Sequence, residues 1–285
     1  MKKVAMVTGA SSGIGEATVK RLIANGYTTY AAARRLERMV NLKKLGAVLL
    51  PLDLTDDSSI ISAANRICSE PGRIDVLVNN AGYGSYGAVE DVPLQEARRQ
   101  FEVNVFGLAR LTQLLTPVMR QQRSGKILNV SSIGGKLWEP LGAWYHATKF
   151  AVEGFSDCLR VEIKPFGIDV IVIEPGAIRT EWGQIALDSL LQASGHSAYA
   201  PQAEEKRALF LSADGSASDP DVVAREIIKA VEASCPKTRY AVGAFAKPSV
   251  FLSTLLPDRV NDWLMGAVTR NLLRQWQQTS RTQIG

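Results

Sequence analysis

Tyr145 and Lys149 stand four residues apart. On one helix that spacing is just over a turn, so a phenol and an ammonium would share a face. Tyrosine ordinarily titrates near pH 10, which makes it a poor proton shuttle at neutral pH unless something favours the phenolate. An ammonium ~5.5 Å away, at an effective dielectric of ~20, contributes about 3 kcal/mol, or roughly two pKa units. That falls short of bringing the phenol to about pH 7, and a second positive charge, such as an oxidised nicotinamide ring, would supply the remainder. The pair therefore asks for a cofactor, and other elements of the chain must hold it.

Lys3 to Thr8 is a short, largely apolar run suited to a buried parallel strand. It meets Thr8-Gly9-Ala10-Ser11-Ser12-Gly13-Ile14-Gly15, after which Glu16 to Asn25 has helical spacing and Gly26 closes the helix. Strand, glycine turn and helix follow one another in the order a phosphate cradle requires. Glycines let the backbone approach a pyrophosphate closely, while the N–H groups and dipole of the helix N-terminus hold its charge.

The spacing of Gly9, Gly13 and Gly15 is Gly-x-x-x-Gly-x-Gly rather than the Gly-x-Gly-x-x-Gly of ordinary dinucleotide folds. Together with Tyr145-x-x-x-Lys149 it resembles the short-chain dehydrogenase/reductase family. The lid and tail described below resemble the hydroxysteroid- and retinol-dehydrogenase-like members. The resemblance implies an α/β fold: one Rossmann domain over 1–285, with a doubly wound parallel sheet and helices on both faces. A helical substrate lid over 180–218 and a C-terminal helical extension over 247–285 would complete it.

It also implies site residues. A nicotinamide cofactor would lie on Gly9, Ser11, Ser12, Gly13, Ile14 and Gly15. Asp53, with Leu54 beside it, would reach the adenine amino group; Asp53 is equally suited to the turn before a helix that starts near Asp56 with Thr55 as its cap. Asn79-Asn80-Ala81-Gly82 matches the family's motif at the end of the fourth strand, placing Asn80, Ala81 and Gly82 against the cofactor. Pro175-Gly176-Ala177-Ile178-Arg179-Thr180 resembles its Pro-Gly motif, with Pro175, Gly176, Ile178 and Thr180 near the nicotinamide and phosphates. Lys149 would also anchor the nicotinamide ribose, with Tyr145 beside it.

Ser132 precedes Tyr145 by thirteen residues, the family's spacing for the serine that holds the substrate oxygen. Asn104, in Asn104-Val105-Phe106-Gly107, matches its fourth catalytic residue, which bends the helix and holds a water that feeds protons towards the lysine. The family's Tyr-x-Ala-Ser-Lys appears as Tyr145-His146-Ala147-Thr148-Lys149, so the hydroxyl is kept.

Charge selects the cofactor. Tyr27 to Ala33 reads as the second strand, whose end faces the adenosine ribose in such a fold. There the chain reads Ala32-Ala33-Arg34-Arg35, without a carboxylate to repel a 2′-phosphate and with arginine to pair with it. NADP (NADPH) is the expected cofactor.

Between Thr180 and Asp219 the apolar residues Trp182, Ile185, Leu187, Leu190 and Leu191 suggest a lid helix over a hydrophobic or amphipathic substrate. His196 reads as a loop residue rather than a catalyst. From Lys247 the tail carries Phe251, Leu252, Leu255, Leu256, Trp263, Leu272, Leu273 and Trp276 among Arg259, Arg270 and Arg274. A packed cap or subunit contact accounts for it; a basic amphipathic helix lying on a membrane surface is the other reading.

Composition sets the bounds. Hydrophobic residues make up 46% and charged residues 21%, too apolar for disorder. The net charge of +5 is scattered, with neither the clustered basic face nor the module that nucleic-acid binding needs. Cys68, Cys158 and Cys235 are too few and too dispersed for a disulfide framework or a metal cluster, and are expected to be reduced and buried. Without a long apolar run, stable membrane insertion is not expected and a cytoplasmic setting is the default. The expected partner is a small carbonyl or alcohol substrate, with oligomeric state left open. The rival reading is a non-catalytic NADP(H)-binding sensor or scaffold, which would have no use for Asn104, Ser132, Tyr145 and Lys149 together.

Overall fold

In the computed structural model, β1 (Val4–Thr8), α1 (Gly13–Ala24), β2 (Thr28–Ala33), α2 (Val40–Lys44), β3 (Val48–Pro51), α3 (Asp57–Ser69) and β4 (Val76–Asn79) alternate strand with helix. They continue as α4 (Leu94–Phe101), α5 (Gly107–Gln122), β5 (Gly125–Val130), α6 (Ala143–Ile163) and β6 (Ile168–Pro175). After these come α7 (Glu181–Ser194), α8 (Ala200–Asp214), α9 (Pro220–Glu232), β7 (Arg239–Val242) and α10 (Ala246–Leu255). The structure describes residues 2–264 and 266–267.

All seven strands join one parallel sheet in the order β3-β2-β1-β4-β5-β6-β7. Because successive side chains along a strand point to opposite faces, a strand covered on both sides must be apolar throughout. β1 shows this. Ala5 and Val7 enter the core under α1 and α9, while Val4 and Met6 enter the core under α3 and α5. The order reverses between β1 and β4, so the crevice at their carboxyl ends is where such a sheet binds ligands.

The helix expected across Asn104 is interrupted. Residues Glu102–Phe106 form a π-helical turn between α4 and α5, a feature that often marks a functional site. Two expectations need correction. Asp56, not Thr55, caps α3, accepting from the Ser58 N–H at 2.9 Å. Thr55 instead donates its hydroxyl to Asp53 at 2.8 Å, and the Asp56 carboxylate, one residue later, receives a free N–H of the helix's first turn. The three cysteines form no disulfide and are exposed, not buried. Cys68 and Cys158 lie on helices and Cys235 in the connection before β7, all away from the faces that pack on the sheet.

In the C-terminal extension Asn261 is buried, whereas Phe251, Leu252, Leu255 and Trp263 are exposed, so this part is not a fully packed cap. Arg270, Leu272, Leu273, Arg274 and Trp276 lie outside the described residues. No helix among the described residues is long and apolar enough to cross a membrane, and none of their acidic, histidine or cysteine side chains group as metal ligands.

Candidate active site

The carboxyl ends of the strands open into one cleft of about 990 Å³. Every residue expected to be catalytic or to bind cofactor lines it except Gly15 and Asn104, which are buried, while of the expected lid residues Trp182 and Ile185 line it and Leu187, Leu190 and Leu191 do not.

Its cofactor end is built by the turn after β1. Gly9 adopts a left-handed φ of +67°, and a Cβ there would lie 2.8 Å from the Ala81 Cα. A Cβ on Gly15 would come within 2.3 Å of the Gly9 carbonyl oxygen. Only glycine allows this closeness. Ser12 is the N-cap residue of α1, yet its side chain makes no capping bond. The first N–H groups of that helix are therefore left to a ligand at the positive end of its dipole.

Thr8 ties the second half of the cradle in place. Its hydroxyl oxygen accepts from the Asn80 and Ala81 N–H groups, each at 3.0 Å, while the Asn80 amide donates to the Thr8 carbonyl at 2.9 Å. Arg34 and Arg35 extend from the end of β2 at the edge of the cleft. Arg35 lies 3.8 Å from Glu181, which Arg38 also grips with two nitrogens. Asp53 lines the same end, but its carboxylate already accepts from the Thr55 N–H and hydroxyl, so its turn role is realised. At the opposite wall Thr180 caps α7, accepting from the Trp182 N–H at 3.3 Å. A pyrophosphate cradle, two arginines and no carboxylate on β2's end fit a nicotinamide dinucleotide.

At the other end, α6 carries both Tyr145 and Lys149, confirming their shared helix. Lys149 Nζ lies 5.8 Å from the centre of the Tyr145 ring and donates to the Val130 carbonyl at 2.9 Å. Ser132 follows β5 and caps a short turn, accepting from the Gly134 N–H at 3.0 Å. Asn104 uses its whole amide. It donates to the Tyr83 carbonyl at 2.9 Å and to the Thr148 hydroxyl at 3.1 Å, and accepts from the Tyr83 N–H at 3.1 Å. Thr148 in turn donates to the Tyr145 carbonyl at 2.7 Å. A Cβ on Gly82 would lie 3.1 Å from Asn104 Oδ1 and 3.7 Å from Lys149 Nζ, so these two polar groups converge on one glycine.

Burial acts on both titrating groups. It pushes the Tyr145 phenol well above its ordinary value, against the opposing hydrogen bond from Ser132. It lowers the Lys149 ammonium to about 8. The phenol is therefore protonated at neutral pH and ready to donate, whereas making it a base requires added positive charge.

Aromatic rings wall the substrate end. Trp182 lies 5.0 Å from Tyr145 between ring centres, and Phe210 of α8 packs edge-on against Tyr86 at 5.5 Å. Trp182, Ile185 and Phe210, from the segment expected to form the lid, line the cleft. His196 is exposed and lies outside it. Thr8 and Thr148 have roles that motif spacing alone did not assign. Their signal was a hydroxyl closing an apolar strand at Thr8 and one kept inside the Tyr145–Lys149 interval at Thr148.

With this geometry the class of the protein follows: the chain belongs to the short chain dehydrogenase family, whose model matches residues 3–189. Members of that family bind nicotinamide cofactors and act as oxidoreductases. The chain is 33% identical over 265 residues to the probable short-chain type dehydrogenase/reductase VdlC of Helicobacter pylori, covering 93% of this chain and 97% of that one. It is 33% identical over 279 residues to the NADPH-dependent 3-dehydrocapnine reductase of Ornithobacterium rhinotracheale, covering 91% and 95%. Among solved structures, a short-chain dehydrogenase from Streptomyces avermitilis is similar with a TM-score of 0.77 at 35% identity, covering 99% and 98%.

Proposed function

We propose that this protein is an NADP(H)-dependent oxidoreductase that interconverts a carbonyl and an alcohol on a hydrophobic substrate. The observation that carries the reading is the convergence of Ser132, Tyr145 and Lys149 on one end of a cleft whose other end is a pyrophosphate cradle. When bound, the nicotinamide supplies or accepts the hydride. The protein's own residues handle the proton and the oxygen.

In the reductive direction the Ser132 hydroxyl holds the carbonyl oxygen and stabilises the charge that develops there. Tyr145 donates the proton from its phenol. Lys149, charged below about pH 8, keeps a positive field beside that phenol and would anchor the nicotinamide ribose. Asn104 secures the Tyr83 backbone and, through Thr148, the α6 turn that carries Tyr145. In the expected relay its π-helical turn holds the water that returns a proton to Lys149.

Arg34 and Arg35 support the choice of NADP, as does the printed name of the NADPH-dependent relative. The apolar wall of Trp182, Ile185 and Phe210 supports a steroid-like, retinoid-like or other lipid-like carbonyl, with an apolar xenobiotic carbonyl in the same class.

The test is Tyr145→Phe. Its kcat for NADPH-driven carbonyl reduction falls about 100- to 10,000-fold, the usual contribution of a positioned general acid. NADPH affinity, read by fluorescence titration, stays near wild type. Substantial residual turnover would overturn the reading.

A further inference from the structure

The segment between Ser132 and Tyr145 carries a carboxylate that the proton-transfer site does not use. Glu139 Oε2 lies 2.5 Å from Lys206 Nζ, and its Oε1 accepts from the Tyr86 hydroxyl at 3.2 Å. The same oxygen is 3.8 Å from His146 Nε2. Lys206 belongs to α8, yet it is only 7% exposed. A lysine on an outer helix ordinarily runs its stem along the surface and leaves its ammonium in water. This one turns inward, with Nζ 5.6 Å from the centre of the Tyr86 ring and 5.7 Å from that of Phe210. An ammonium taken out of water is costly unless it is paired and further stabilised, and here both conditions are met.

Burial opposes ionisation of Glu139, but the Lys206 charge holds its carboxyl well below the usual carboxylate range. The groups that Glu139 approaches are those packed on the catalytic tyrosine. The Tyr86 and His146 rings each have their centre 5.7 Å from that of Tyr145. His146 Nδ1 makes a 2.9 Å hydrogen bond with the carbonyl of Gly134, in the turn capped by Ser132. Among the described residues, the other ion pair recorded for α8, Arg207 with Glu204, stays within that helix.

We propose that Lys206 is a positioning residue: its ion pair with Glu139 clasps α8 to the catalytic loop and, through Tyr86 and His146, fixes the orientation of the Tyr145 phenol. The proposal rests on the reading of Tyr145 as the proton donor. Closure of the substrate site and alignment of the acid then become one event, because the residue that fastens the lid also orders the tyrosine's neighbours.

The test compares Lys206→Met, Lys206→Arg, Glu139→Gln and the double variant Lys206→Met/Glu139→Gln in the full-length protein with NADPH and a carbonyl panel. Lys206→Met raises KM for the carbonyl about tenfold and lowers kcat several-fold, while NADPH affinity stays within about twofold. Lys206→Arg, which keeps the cation, restores most of both. The double variant is no worse than Lys206→Met alone, because the two groups act as one unit. Wild-type kinetics in Lys206→Met, additive effects in the double variant, or a loss that Lys206→Arg does not restore would overturn the proposal.

Limited proteolysis of residues 195–199, which join α7 to α8, gives a second readout independent of turnover. Cleavage is faster in Lys206→Met than in wild type or Lys206→Arg; equal rates overturn the clasp. If wild type reduces no carbonyl but the proteolysis difference is present, the functional reading fails and the clasp stands.

Discussion

The Asn104 amide donates to the Thr148 hydroxyl at 3.1 Å, joining the π-helical turn between α4 and α5 to the helix that carries Tyr145 and Lys149. Both side chains are buried. Removing the hydroxyl leaves one Asn104 N–H short of a partner and frees the Tyr145 carbonyl of its side-chain bond, a loss of about 1–3 kcal/mol at such a site. In Thr148→Val, kcat/KM for carbonyl reduction is expected to fall roughly tenfold or more. Thr148→Ser, which keeps the hydroxyl, stays within about twofold. Steady-state NADPH oxidation distinguishes them, and equal rates in the two variants would remove Thr148 from the site.

Much of this arrangement is legible along the chain because its parts are local. Glycine spacing with a preceding strand and a following helix specifies the cradle, and a four-residue interval places the phenol and ammonium on one face. Parallel pairing and two-sided helix packing follow from continuous apolar strands separated by amphipathic helices, whereas the strand order emerges only in the folded chain. What escapes is non-local. Tyr86, Tyr145, Trp182 and Phe210 meet only after the chain folds, and Glu139 and Lys206 are 67 positions apart with no motif relating them. The cap of α3 moved by one residue because Asp56 and Thr55 are both competent caps, a competition that only the backbone path decides. Average behaviour puts cysteines inside, whereas Cys68 and Cys158 occupy outward positions of their helices and Cys235 an exposed connection.

Cofactor choice gives a charge-reversal prediction. The end of β2 presents Arg34 and Arg35, while Arg35 is also 3.8 Å from Glu181. Arg34 is thus the arginine without a recorded carboxylate partner among the described residues, and the better one to receive a 2′-phosphate. In Arg34→Asp the introduced carboxylate repels that phosphate and can accept from a 2′-hydroxyl. The ratio of kcat/KM with NADPH to that with NADH should fall on the order of 100-fold or more, mainly through a higher KM for NADPH. An unchanged ratio would place phosphate recognition elsewhere.

Behind the catalytic loop lies a second buried charge cluster whose effect is on stability. Glu174 of β6 is 1% exposed, and Arg239 of β7 stands 3.6 Å from it while binding Glu153 at 3.0 Å and Asp157 at 2.6 Å. Lys136 pairs with Glu153 at 2.9 Å. Burial, with the Glu153 charge adding to it, pushes the Glu174 carboxyl up to about 7 despite Lys136 and Arg239. Between its ordinary value of 4.5 and about 7, Glu174 holds a proton in the folded chain that the unfolded chain has released. The unfolded state then binds fewer protons, so this group's contribution to stability falls as pH rises through that window. Glu174→Gln keeps the shape and removes the titration. The difference in Tm, variant minus wild type, should rise from pH 5 to pH 8 by on the order of 5 °C. Thermal unfolding of both proteins in matched buffers reads that difference directly, and groups that titrate identically in the two cancel from it. A difference that stays flat across the window would mean that Glu174 is ionised throughout, with Arg239 and Lys136 together outweighing its burial.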